Sequence, residues 1–145
     1  MKEVSLTEML EARERRAHHQ QELLAQYHKP ILCFTMNIAG PVKASPLIRR
    51  GFARGQQLLR QQFFRAKLTP LYMDSSCTVT GCEAFYVLNA DPLTIKKFTT
   101  DIEDATPLGR LFDMDVLRPD GIKVEREELH LPGRTCLLCG RPAKE

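Results

Sequence analysis

The 145-residue sequence has no apolar run of the roughly 20 residues that a membrane-spanning helix needs. It shows no signal-peptide pattern either, since Met1-Lys2-Glu3 leads directly into a charged, amphipathic stretch. Its five cysteines are an odd number scattered through apolar runs, which is typical of reduced thiols and not of a disulfide framework. These absences predict a single cytoplasmic domain over residues 1–145 with no membrane partner.

Aromatic residues are also scarce, and they do not alternate with basic residues as the stacking platforms of nucleic-acid-binding proteins do. We therefore expect no nucleic-acid partner. The charges are uneven, because Lys and Arg outnumber Asp and Glu up to residue 67, while the reverse holds after it. This asymmetry indicates a cleft that binds anions on one wall and metal on the other, although ordinary helix-surface charge also explains it.

Hydrophobic periodicity and capping signals predict three helices and five strands. The helices are expected over 6–27, 46–67 and 92–104, each after a Ser or Asp N-cap. The strands are expected over 30–38, 68–73, 84–89, 111–117 and 122–126. This order predicts an α+β fold, in which an antiparallel or mixed sheet of about five strands has its helices packed mainly on one face.

Two carboxylates lie one residue apart in the apolar run 109–117. If the run is a strand, Asp113 and Asp115 share one face, roughly 7 Å apart at the backbone, and their oxygens can hold one divalent cation. Mg²⁺ takes one or two carboxylates and leaves positions open for substrate phosphates, so we expect Mg²⁺, or Mn²⁺ in its place, at this pair. The alternative is two solvated surface acids on a half-buried strand.

A turn signal at 118–121 and a second alternating segment predict a hairpin after these aspartates. With a three-residue loop, Glu125 lies opposite Asp115 and Glu127 lies opposite Asp113. Four acids on one face repel each other. The hairpin therefore predicts a cation, nearby arginines or open water at this place.

The loop before the second helix ends at an N-cap, Ser45, with Pro46 in the first helical position. A helix N-terminus binds anions, because its amides are unpaired and it carries a partial positive charge. Lys43 precedes this N-terminus, and Arg49 and Arg50 lie just inside the helix. The three cations predict a phosphate site, although the segment is not a Walker loop.

The middle of the first helix carries a basic cluster, which we expect to be a solvated face or, as the alternative, a docking surface for a partner. Its members are Arg13, Arg15, Arg16, His18 and His19.

Several linked segments resemble one family, the citrate lyase holo-acyl-carrier-protein synthases, also called apo-citrate lyase phosphoribosyl-dephospho-CoA transferases. The segments are 37–43 with Pro46 and Arg49, 80–85, 109–116 and 134–139. They occur in order across nearly the whole chain. A related transferase that serves malonate decarboxylase also has an Asp-x-Asp pair, which falls here at Asp113 and Asp115.

The resemblance implies a nucleotidyltransferase that moves a prosthetic group from triphosphoribosyl-dephospho-CoA to a serine of the acyl carrier protein subunit of citrate lyase, releasing diphosphate. Such a transfer needs cations at the triphosphate. We expect Asp113 and Asp115 to be the catalytic metal ligands. The expected substrate-binding residues are Lys43, Arg49, Arg50, Arg110 and Glu83. The alternative is a non-catalytic adaptor that docks an acidic carrier protein through the first helix and has no use for metal.

The tail of the chain contains Cys136 and Cys139, which supply only two of the four ligands that a structural zinc ion takes. Members of the family continue past this segment with another cysteine, basic residues and a histidine. We therefore expect that this chain, which stops at Glu145, lacks a C-terminal segment of the family.

Overall fold

A computed structural model describes residues 3–131 of the chain. These residues contain three α-helices, α1 (Leu6–Tyr27), α2 (Pro46–Arg65) and α3 (Pro92–Ala105). They contain four strands, β1 (Ile31–Met36), β2 (Tyr72–Thr78), β3 (Gly81–Val87) and β4 (Phe112–Leu117). Two short 3₁₀ helices span Pro107–Leu111 and Arg126–Leu129. No helix of the described part is long and apolar enough to cross a membrane.

The strands form one antiparallel sheet in the order β2-β3-β1-β4. The predicted α+β class is confirmed, with four strands where about five were expected. β2 begins later than the predicted strand 68–73 and continues through the polar residues 74–76, because all seven of its residues pair with β3. Cross-strand pairing therefore overrides the weak intrinsic strand preference of Asp and Ser.

The predicted fifth strand does not form. The turn and its register are as expected, since a bridge joins Leu117 to Lys123 and the Val124 N–H donates to the Val116 carbonyl at 2.8 Å. The ladder ends there, because Arg126 begins a 3₁₀ helix and is buried against α3.

The larger core lies between the sheet and the helices α2 and α3. α2 packs closely because Gly55 has no side chain, and a Cβ at this position would lie 2.3 Å from the Phe34 ring. α3 covers the edge strand β4, where Glu103 accepts the Met114 N–H at 3.1 Å and Lys96 donates to the Met114 carbonyl at 3.3 Å. These two side chains satisfy the N–H and C=O groups of Met114, which on an open sheet edge would be free to pair with another chain.

α1 lies on the opposite face, over a smaller apolar cluster formed by Leu23, Ile31, Cys33, Phe85 and Val87. The helices therefore pack mainly, but not entirely, on one face of the sheet. The remaining surface under α1 is polar.

Cys77 and Cys82 form a disulfide, with their Cα atoms 4.0 Å apart. The prediction of reduced thiols is wrong for this pair. The two residues are direct cross-strand partners of β2 and β3, and this register brings their sulfurs together. Cys33 is free and buried, as predicted. Cys136 and Cys139 lie outside the described residues.

Candidate functional site

Asp113 and Asp115 lie on the sheet face that α1 covers. Burial alternates along β4, so that Phe112, Met114 and Val116 are buried on the other face while both aspartates remain partly exposed. The predicted alternation of this strand is confirmed. The two carboxylates can therefore be reached by solvent without disturbing the core.

The register of the sheet extends this acidic surface across three strands. Thr35 of the central strand pairs with Asp113 on one side and with Glu83 on the other. Neighbouring strands are about 4.8 Å apart, so the backbones of Glu83 and Asp113 are separated by about 10 Å. Glu83 thus shares the face with the aspartates but is not their direct neighbour.

Two basic side chains of α1 reach down to this face. The Arg16 Nε donates to the Glu83 carboxylate at 3.1 Å, and the His19 Nε2 lies 2.8 Å from the Asp74 carboxylate. The expectation that the whole basic cluster is a solvated face is wrong for Arg16 and His19, which are both partly buried.

The partner of Asp115 is a lysine and not a glutamate. The Lys123 Nζ lies 3.2 Å from the Asp115 carboxylate, and each side chain is about one-third exposed. Glu125 caps the 3₁₀ helix that follows, and Glu127 is an exposed residue within it. The predicted opposition of four acids is therefore wrong, because the second strand ends before these glutamates can continue the ladder.

A buried thiol lies beside Asp115 in the sheet. Cys33 is the cross-strand partner of Asp115 and lies near the Gln20 side chain of α1. Burial raises the pKa of Cys33 to about 12, and the charge of Arg16 opposes that shift only partly. A thiol with this pKa stays protonated near neutral pH, so Cys33 is not poised as a nucleophile.

Two of the predicted phosphate-binding residues lie at the end of the sheet where β4 begins, next to Asp113. The Lys43 Nζ donates to the Ile38 carbonyl at 2.6 Å, within the loop that follows β1. The same loop is joined to the 3₁₀ helix of Arg110 by a bond from the Asn37 N–H to the Leu111 carbonyl, at 2.6 Å. The backbone therefore brings Lys43 and Arg110 to the same end of the sheet as Asp113.

Arg49 and Arg50 are placed differently. The Ser45 cap forms as predicted, since its hydroxyl accepts the Ile48 N–H at 3.1 Å. Both arginines are exposed on α2, which packs on the face of the sheet opposite the aspartates. Gly51 lies beside Met36, at the end of β1, so the arginines are near the loop end of the sheet but on its other side.

The aspartates fit an ion that takes few protein ligands. Within residues 3–131, no three His, Cys, Asp or Glu side chains are grouped closely enough to form a metal cage. Mg²⁺ does not need such a cage, since it binds through one or two carboxylates, waters and substrate phosphates. The pair Asp113 and Asp115 supplies that donor set, and Lys123 would compete with the ion for Asp115.

The contacts of Arg16 and His19 could have been predicted from helical spacing. Ala12 and Leu23 are the buried residues of α1, and Arg16 and His19 fall between them at intervals of three and four residues. The four residues therefore share the inner face. The contact of Lys123 with Asp115 also had a signal, because the predicted register places Lys123 opposite Leu117 and therefore diagonal to Asp115 on the same face.

Comparison with known proteins gives one consistent family. A family model described as apo-citrate lyase phosphoribosyl-dephospho-CoA transferase matches residues 4–145. The protein of that name from Citrobacter koseri is 35% identical over 142 residues, which are 98% of this chain and 78% of that protein. The Escherichia coli O139:H28 protein of the same name is 34% identical over 140 residues, 97% of this chain and 76% of its own length. "Protein CitXG" of Haemophilus influenzae is 37% identical over 97% of this chain, which spans 30% of that longer protein.

Proposed function

The chain belongs to the family of apo-citrate lyase phosphoribosyl-dephospho-CoA transferases, and we propose that it is an enzyme with this activity. Its donor is triphosphoribosyl-dephospho-CoA, and its acceptor is a serine of the citrate lyase acyl carrier protein. The serine oxygen attacks the phosphorus of the triphosphate that is bonded directly to the ribose carrying it. A new P–O bond forms, the bond to the leaving diphosphate breaks, and the serine loses its proton.

The observation that supports this proposal is a family match along nearly the entire chain. It is joined by an Asp-x-Asp pair that the fold leaves accessible on a sheet face whose reverse side is the core. An acidic pair in such a position suits charge-based catalysis, in which little covalent chemistry is asked of the protein.

In this mechanism, Asp113 and Asp115 would hold Mg²⁺, with Mn²⁺ as an alternative, and the ion would supply positive charge at the phosphates. Lys43 and Arg110 contact the triphosphate at the loop end of the sheet, where their positive charges attract its oxygens. Arg49 and Arg50 attract the anion from the neighbouring helix. Glu83, held by Arg16, contributes to the shape of the substrate site.

The direct test is to mix the purified protein with apo acyl carrier protein, triphosphoribosyl-dephospho-CoA and Mg²⁺, and to weigh the carrier by intact-protein mass spectrometry. The carrier should gain the mass of one phosphoribosyl-dephospho-CoA group, and one diphosphate should be released for each group. EDTA should stop both changes. A carrier whose serine is replaced by alanine is the matched control.

The adaptor interpretation makes the opposite prediction. An adaptor would bind the carrier without changing its mass, and its binding would not depend on divalent metal. Binding without any mass gain, under conditions where a curated relative such as the Citrobacter koseri protein modifies the same carrier, would favour the adaptor and overturn the proposed enzyme.

A further inference from the structure

A groove runs between α1 and the turn that follows β4, with a volume of about 440 Å³. α1 contributes Ala17, Gln20, Gln21 and Leu24 to it, and the other wall includes Leu117 and Asp120. Gly121 of the turn lies close to α1, since an added Cβ at this position would lie 3.8 Å from the Leu24 Cδ1. The groove has a volume within the range of small-molecule sites, which is roughly 300–1,000 Å³.

The groove adjoins the aspartate pair. Leu117 lies two residues after Asp115 in β4, on the same face and roughly 7 Å away along the strand. Gln20 relates the two places, because it lines the groove and lies close enough to the thiol of Cys33, the cross-strand partner of Asp115, to influence it. A molecule held at Asp115 can therefore extend into the groove without leaving the protein surface.

The lining favours a flat, uncharged ring with polar edges. Ala17, Leu24 and Leu117 offer apolar contact surface, while the amides of Gln20 and Gln21 each present a donor and an acceptor. An adenine ring has the complementary edge, since glutamine amides pair with its N6 amine and N7. No Lys or Arg of the described residues lines the groove itself, and the neighbouring Lys123, which is bridged to Leu117, is paired with Asp115.

We infer that this groove binds the adenine ring of the dephospho-CoA part of the donor. The inference rests on the proposed function. It orients the donor along the acidic face of the sheet. The triphosphate would lie toward Lys43 and Arg110, the reacting phosphorus near the aspartates, and the base in the groove beside the C-terminal half of α1. Asp113 and Leu117 are four residues apart, or about 13 Å along the strand, which leaves room for the sugars between the reacting phosphate and the base.

The test uses dephospho-CoA alone, so it requires neither transfer nor the carrier. Ala17 is exposed, and the change Ala17→Leu places a larger side chain in the groove without disturbing the core. Ala25 is also exposed on α1 but does not line the groove, so Ala25→Leu is the matched control. Calorimetry should show dephospho-CoA binding weakened at least tenfold by Ala17→Leu and less than twofold by Ala25→Leu, with unchanged circular dichroism in both variants.

Competition identifies the part of the ligand that occupies the groove. Adenosine 5′-monophosphate should displace dephospho-CoA from the wild-type protein, whereas 4′-phosphopantetheine should not. Displacement by phosphopantetheine alone would assign the groove to the pantetheine arm and overturn the inference, as would equal affinities of the two leucine variants.

If the carrier gains mass normally while Ala17→Leu leaves the KM for the donor unchanged, the groove assignment fails and the proposed activity stands. If the wild-type protein binds dephospho-CoA but never modifies the carrier, the proposed activity fails instead.

Discussion

Asp115 and Lys123 form an ion pair at the centre of the proposed metal site, with 3.2 Å between the charged groups. Both side chains are partly exposed, so the pair adds little to stability, about 0–1 kcal/mol by analogy with other surface pairs. Its effect on chemistry is expected to be larger. A cation already beside Asp115 keeps two neighbouring carboxylates from repelling each other before substrate and metal arrive.

The first prediction concerns the two aspartates. Asp113→Asn and Asp115→Asn should both fold, because the buried residues of β4 point to the other face. Transfer should fall by roughly two to three orders of magnitude, the scale seen when one preorganised electrostatic element is removed. The double variant should be little worse than either single variant, since groups that act as a unit are not additive. Mass spectrometry of the carrier over time at saturating Mg²⁺ measures the rates.

Asp101→Asn is the control for this experiment, because Asp101 is an exposed residue of α3 that pairs with Lys97 of its own helix. It should leave the rate unchanged. Full activity in Asp113→Asn or Asp115→Asn would rule out the metal assignment.

At the scale of elements, the sheet and α2 approach each other through glycine. Gly55 faces the Phe34 ring, where an added Cβ would lie 2.3 Å from one carbon, while an added Cβ at Gly51 would lie 3.2 Å from the flexible end of Met36. The same helix thus contains a glycine against a rigid ring and a glycine against a side chain that can move.

We predict that Gly55→Ala and Gly51→Ala have opposite effects. Both gain roughly 1 kcal/mol of intrinsic helix propensity. Gly55→Ala should nevertheless destabilise the protein by about 1–3 kcal/mol, because the core is overpacked. Gly51→Ala should be neutral or slightly stabilising. Urea unfolding followed by circular dichroism gives the two free energies, and equal values would show that helix packing does not require Gly55.

A buried ion pair joins the 3₁₀ helix Arg126–Leu129 to α3. Arg126 donates to Glu103 at 2.8 Å and to Asp104 at 3.1 Å, and its side chain is only 9% exposed. Glu103 is also the acceptor for the Met114 N–H of β4. One guanidinium therefore stabilises the carboxylate that satisfies the sheet edge.

We predict that Arg126→Leu lowers the free energy of unfolding by about 3–5 kcal/mol, because it removes one partner of a buried ion pair and leaves the Glu103 carboxylate without its guanidinium. Adding Glu103→Gln should recover part of the loss. Arg118→Leu is the matched control, since it removes an arginine whose pair with Glu128 is far more exposed, and it should change stability little. If the two arginine variants unfold at the same urea concentration, the ion pair with α3 does not hold the fold together.

At the scale of the whole molecule, the two faces of the sheet are unequal. α2 and α3 enclose a large continuous core, while α1 rests on a small apolar cluster and on polar contacts such as Arg16 with Glu83. Elements with little buried apolar surface open at lower free energy than the global unfolding transition. The helix that covers the proposed site is thus the least strongly held of the three.

Hydrogen exchange measures this difference. Amides in the middle of α1 should exchange faster than those of α2 and α3, through a local opening that does not expose β1. Addition of dephospho-CoA should slow exchange in α1 in particular, because a ligand that contacts only the closed form stabilises it. Exchange of all three helices at one common rate would show that α1 opens only when the whole protein unfolds.

The sequence alone determined the features that depend on local spacing. The caps Ser5, Ser45 and Asp91 were predictable, because a short polar side chain bonds to an amide two or three residues away in its own chain. The alternation of β4 was predictable in the same way, and with it the shared face of Asp113 and Asp115.

Only the tertiary structure decided which of these elements meet. The Cys77–Cys82 disulfide depends on the register of β2 with β3. The absence of Glu125 and Glu127 from a strand opposite the aspartates depends on the hairpin ladder ending where Arg126 enters its buried contact with α3. Such contacts join residues far apart in the chain, and their energies are realised only after the sheet order and the packing of helices have brought them together.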